Sequence, residues 1–146
     1  MASLFVPRPL PAGASFGLLL ARVSTGVALG LHGIPKLENL TTWDQGGTGF
    51  PAAVVALGAI AEGVFGWCLA AGFLTPLASL MCTGVMAVAV WFHVSKGDVF
   101  VSADGKAAAW EIAGIYCAVS FMTLLAGPGG LSVDKLLFGR KRGDSR

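Results

Sequence analysis

Five ionisable side chains interrupt the apolar runs of this sequence: Arg22, His32, Glu62, His93 and Glu111. A charge at the centre of a bilayer costs at least ~2.5–3.5 kcal/mol, so such residues turn inward, reach water or pair. Counted along their helices at ~1.5 Å per residue, Arg22 and Glu62 each fall ~15–16 Å below one end. Equal depth and opposite charge predict an Arg22–Glu62 ion pair, in which the guanidinium fork meets a carboxylate. It would either fix helix register or handle protons or substrate.

His32, His93 and Glu111 are shallower, all within ~6 Å of that same boundary, and they come from three different helices. If they converge, with Trp110 beside them, three chemistries are open. Two imidazoles and a carboxylate can bind a divalent metal. Histidine titrates near neutral pH and can hydrogen-bond a quinone head group and relay its protons. Two histidines can also ligate a haem. The plainer alternative is that each side chain meets water at the membrane surface.

The elements that carry these residues are apolar stretches. Of 146 residues, 55% are hydrophobic and 12% charged, against roughly 25% charged in soluble domains. The formal charge of +2 is too small to suggest nucleic acid. Four runs, at about 12–33, 52–74, 76–95 and 107–126, each approach the ~20 residues a transmembrane helix needs. Their apolar residues are continuous rather than alternating, which excludes a membrane barrel. The expected fold is all-α: one transmembrane domain over 1–146, an up-and-down four-helix bundle in lipid. The first run has Arg22 inside it and no clear cleavage site, so it reads as a retained span rather than a signal peptide.

Orientation follows from charge. Four of the ten basic residues (Arg140, Lys141, Arg142 and Arg146) fall in the last seven positions. The positive-inside rule then puts the C-terminus in the cytoplasm, and four crossings put the N-terminus, with Arg8, there too. The longer connections, 35–49 and 95–106, face outward, the second turning at Asp104-Gly105. Trp43, Trp91 and Trp110 would lie at that outer interface. Leu74-Thr75-Pro76 is a tight hairpin, with Pro76 in the first turn of the next helix.

Small residues recur at Gly13, Gly17 and Ala21, and at Gly26 and Gly30, spacing that allows close helix approach in lipid. Packing within the chain is the expectation for both sets. Cys68, Cys82 and Cys117 form no CxxC, so dithiol chemistry is disfavoured; in lipid they act as small apolar residues. No phosphate loop or nucleophilic triad is present, and no residue is assigned as catalytic.

The string Arg22, Gly26, Leu31-His32-Gly33-Ile34-Pro35-Lys36-Leu37 resembles the first-helix signature of the DoxX family of bacterial membrane proteins. Glu62-Gly63, continued by Gly66, Leu69 and Gly72, is similar to that family's second-helix segment. Gly127-Pro128-Gly129-Gly130-Leu131-Ser132-Val133-Asp134 is similar to its GPG-x-x-S-x-D terminus. There Gly127 would stop the fourth helix and Ser132 would cap a short cytoplasmic helix at about 132–138. The KRGDSR tail is a departure from the pattern.

The resemblance implies a multi-pass protein of the bacterial inner membrane. The expected function is a membrane subunit of a quinone-linked redox assembly, hence an oxidoreductase component, with other membrane redox proteins as partners. A non-catalytic scaffold or accessory subunit is the alternative, and a small-molecule transporter the third reading. Quinone is the favoured ligand, ahead of haem or metal.

Overall fold

The structure is a computed structural model that describes residues 10–139 apart from 46, 104 and 106. Arg8, the Asp104 half of the Asp104-Gly105 turn and the basic run at 140–146 lie outside the described residues. The order is α1 (Ala12–Glu38), α2 (Ala52–Gly63), α3 (Phe65–Ala71), α4 (Thr75–Ser95), α5 (Glu111–Ala126) and α6 (Val133–Phe138). Among the described residues there is no strand, only an isolated bridge between Val99 and Ala109.

Among the described residues three segments are long and apolar enough to cross a membrane: α1, the α2–α3 pair over Ala52–Ala71, and α4. The protein is thus a membrane protein with several apolar helices. The fourth apolar helix, α5, is shorter at 16 residues, or ~24 Å, and packs mainly on α4. Exposed Phe16, Leu57, Leu80, Ile115 and Leu125 are what a lipid-facing surface requires. The second span is not one continuous helix: Val64, at φ −103°, separates α2 from α3.

Glycines set the packing of α1 on the second span. A methyl group at Gly33 would run into the backbone of Glu62 and Gly63, one at Gly30 into the Trp67 ring, and one at Gly26 into Gly66 and Ala70. Each step of three or four residues down α1 is matched by an equal step along α2–α3 in the opposite sense. The two spans are therefore antiparallel and locked in register by backbone contact, the way small residues act in lipid. Gly13 and Gly17, by contrast, have open space where a side chain would be.

This register corrects the expected Arg22–Glu62 ion pair, which does not form. It places Arg22 level with Gly72, whose own methyl position is filled by the Arg22 guanidinium. There Arg22, 1% exposed, donates to the carbonyls of Pro128, Leu131 (2.7 Å) and Ala70 (3.4 Å). The expected depths were counted from a first helix ending near 33. In fact α1 runs through Pro35 to Glu38, so Arg22 lies deeper than Glu62.

The end of the molecule carrying the α3–α4 turn, here the hairpin end, is closed by the C-terminal segment. Gly72 (φ 68°) and Leu74 (φ 47°) both turn left-handed to reverse the chain. That leaves the first N–H groups of α4 without a cap of their own. Asp134, fully buried, supplies one from α6: its carboxylate accepts from Leu74 and Thr75, both at 2.8 Å. Its own N–H donates to Gly72 O at 2.9 Å. Gly127 ends α5, and the Ser132 hydroxyl caps α6 by accepting from Lys135 N at 3.2 Å.

Candidate functional site

At the opposite end, where the two long loops lie, the extension of α1 brings Lys36 to the side of Glu62. Pro35 gives up one helix hydrogen bond there, yet the helix persists for another turn. The Lys36 ammonium sits 2.5 Å from Glu62 Oε2. The carboxylate side chain is 6% exposed and the lysine 23%, so the pair stands at the edge of the buried interior. Lys36 Nζ also lies 4.5 Å from the centre of the Trp43 ring, a cation–π contact. Trp43 is held in turn by its indole N–H, which donates to Val55 O at 2.8 Å.

Beside this group a cleft of about 440 Å³ opens between α2 and α4. Its walls are aliphatic, among them Leu57 and Ala61 from α2 and Leu80, Val85 and Val88 from α4. Glycine at positions 58 and 84 widens it, and Gly84 has nothing within contact distance of a side-chain position. Polar side chains are few in the lining: Lys36, Glu62 and Trp43 lie toward its deep part, level with Met81 and Val85, and Thr48 and His93 toward the loop end. Phe50 and Phe92 stand at the His93 end, their rings 6.0 Å apart. The lining suits a mostly apolar molecule with a few polar atoms.

His93 is oriented by Asp98, whose carboxylate oxygen lies 2.7 Å from Nδ1. The other ring nitrogen is left as the atom available to a ligand, the usual division of labour in a carboxylate–imidazole pair.

The expected trio does not share one site. His93 lines the α2/α4 cleft. His32 is exposed, with Nδ1 donating to Ala28 O at 2.8 Å, and lines a different, shallow recess with Asn39 and Thr42. Lys36 and Trp43 border both recesses and stand as the partition between the histidines. Glu111 and Trp110 line neither. Glu111 is the first residue of α5, where a carboxylate favours the helix N-terminus. Trp110 packs on Phe100 at 4.5 Å. Among the described residues no three His, Cys, Asp or Glu side chains are grouped to hold a metal ion.

Depth alone misled here, because residues of equal depth on different helices need not face one another. Lys36, Trp43 and Asp98 are the site residues that reasoning passed over. The signal for Lys36 was present: pairing Gly26, Gly30 and Gly33 with Ala70, Gly66 and Gly63 in turn brings Lys36 within reach of Glu62.

Comparison with known proteins agrees in extent with this geometry. A family model described as DoxX matches residues 17–94, which covers α1 through nearly all of α4 and so both walls of the cleft and the Lys36–Glu62 pair. No curated protein and no solved structure matches the chain.

Proposed function

The chain belongs to the DoxX family, and we propose that it is a membrane subunit of a quinone-linked redox assembly, with the α2/α4 cleft as its quinone site. The observation that carries this reading is the composition of the cleft. Aliphatic walls suit an isoprenoid tail, and the few polar groups among them include an ammonium paired with a carboxylate and, nearer the loop end, an imidazole. The volume lies within the ~300–1,000 Å³ typical of small-molecule pockets. A bound quinone would supply two-electron, two-proton redox chemistry. The chain's own residues bind and orient: either Lys36, or His93 braced by Asp98, can donate to a ring carbonyl oxygen, and His93 can pass it a proton. Phe50, Phe92 and Trp43 offer flat surfaces to a planar ring.

The same reading takes α5 as a fourth crossing and places the protein in the bacterial inner membrane, loop end outward and both termini cytoplasmic. The basic residues at 140–142 and 146 support that orientation. The cleft then opens toward the outer leaflet.

Gly84→Leu tests the proposal. It fills open space on a helix, so the fold tolerates it, and it blocks the cleft. Solvent extracts of protein purified in mild detergent should hold quinone for the parent chain and lose it for Gly84→Leu. A parent preparation without quinone overturns the assignment and returns the protein to the scaffold or accessory reading.

A further inference from the structure

The short helix α6 carries an apolar surface that nothing among the described residues covers. Leu136 is 84% exposed, and Leu131 and Leu137 are also well exposed. The segment is not loosely placed, because Asp134 ties it to the α3–α4 turn through three hydrogen bonds. Leucines are thus presented from a fixed position at the hairpin end. The neighbouring surface is apolar too: Leu125, in the last turn of α5, is 60% exposed.

Charge singles out the partner. Lys135 lies in α6, and the sequence continues with Arg140, Lys141 and Arg142. The one acid of α6, Asp134, is buried and occupied. Leucines flanked by clustered cations, with no available carboxylate in the helix, are the composition of a segment lying in a membrane interface rich in anionic lipid.

We infer that α6 lies on the headgroup region of the leaflet at the hairpin end, with anionic phospholipid as the partner that Lys135 and the basic sequence after it select. The leucines enter the boundary between headgroup and acyl chain, and Lys135 meets lipid phosphate. This holds whether or not the cleft binds a quinone, and it does not depend on which face of the membrane the hairpin end occupies.

The test uses the full chain with a nitroxide on Leu136→Cys, a position exposed enough for the label to displace nothing. The parent chain, treated identically, corrects for any labelling of the native cysteines. Collision of the label with lipid-soluble oxygen and with a water-soluble nickel chelate is measured in nanodiscs of phosphatidylcholine, with and without phosphatidylglycerol. Addition of phosphatidylglycerol should raise oxygen collisions and lower nickel collisions, and Arg140→Ser/Lys141→Ser/Arg142→Ser should abolish that shift. High nickel access in both lipids overturns the inference. So does equal lipid burial without phosphatidylglycerol, and so does protection from both reagents, which would mark a protein contact instead.

Discussion

Lys36 and Glu62, 26 residues apart in sequence, meet at 2.5 Å because Gly33 and Gly63 touch one turn away. The pair depends on helix register, and it supplies the charged groups of the cleft's deeper part.

The two partners differ in access to water, so their losses should be unequal. Lys36→Met leaves a carboxylate that is almost wholly buried without a counterion, a loss toward the lower end of the ~3–5 kcal/mol seen for broken buried pairs. Glu62→Gln leaves an ammonium on a flexible, partly exposed stem that can reach water, and should cost less. Thermal unfolding in detergent ranks them, and a double-mutant cycle gives the coupling. Equal losses, or additivity in the cycle, would show that the pair is not the governing contact.

The glycines divide into two classes that look alike in sequence. Gly26→Ala and Gly33→Ala force a methyl group into opposing backbone, so each should cost ~1–3 kcal/mol or more through overpacking. Gly13→Ala and Gly17→Ala meet open space and should be neutral or gain ~0.5–1 kcal/mol of helix stability. Folded yield and unfolding temperature of the four variants check the contrast.

That contrast also marks what could be read from the chain directly. Membrane class and the approximate positions of the apolar runs follow from composition and run length, which are local properties. The Leu74 hairpin and the Ser132 cap follow from residue types at short range. The Arg22–Glu62 pair and the His32–His93–Glu111 pocket were inferred from depth, and depth omits rotation about the helix axis and the true helix end. The first error traces to α1, whose passage through Pro35 moves every depth along it, and the second to the directions the three helices face. Asp134 was visible as part of a terminal motif. Its role as a cap for α4 was not, because the bond spans 59 residues.

Asp134 should prove among the least replaceable residues of the hairpin end. Asp134→Ala strips the acceptors from the N–H groups of Leu74 and Thr75, each worth ~1–3 kcal/mol when left buried and unpaired. Asp134→Asn keeps one oxygen and should fall between. Arg22→Met, which frees three carbonyls at the same place, should be comparably damaging. Unfolding temperatures compared across the three report this order, and an Asp134→Ala protein as stable as its parent would contradict it.

Topology is open to direct labelling. In a cysteine-free background, single cysteines at Thr42 and Ser102 should react with a membrane-impermeant maleimide added to intact cells, and one at Ser145 only after lysis. Outside labelling at Ser145 would invert the orientation.

The interface between α4 and α5 supplies the last expectation. Cys117 lies 3.7 Å from Thr83 O, which fixes the antiparallel register and puts Ser79 and Ser120, one turn further toward the hairpin end, at a common level. Both are wholly buried, and their hydroxyls have no hydrogen-bond partner among the described residues. A hydroxyl in that condition is a liability, since desolvation is incurred with nothing returned. Thr83, in contrast, donates to Ser79 O at 2.7 Å and has its hydroxyl satisfied. Ser79→Ala and Ser120→Ala should therefore leave stability unchanged or raise it by up to ~1 kcal/mol, singly and together. Losses above ~1 kcal/mol, with strong coupling in the double variant, would mean that the two hydroxyls are joined through bound water.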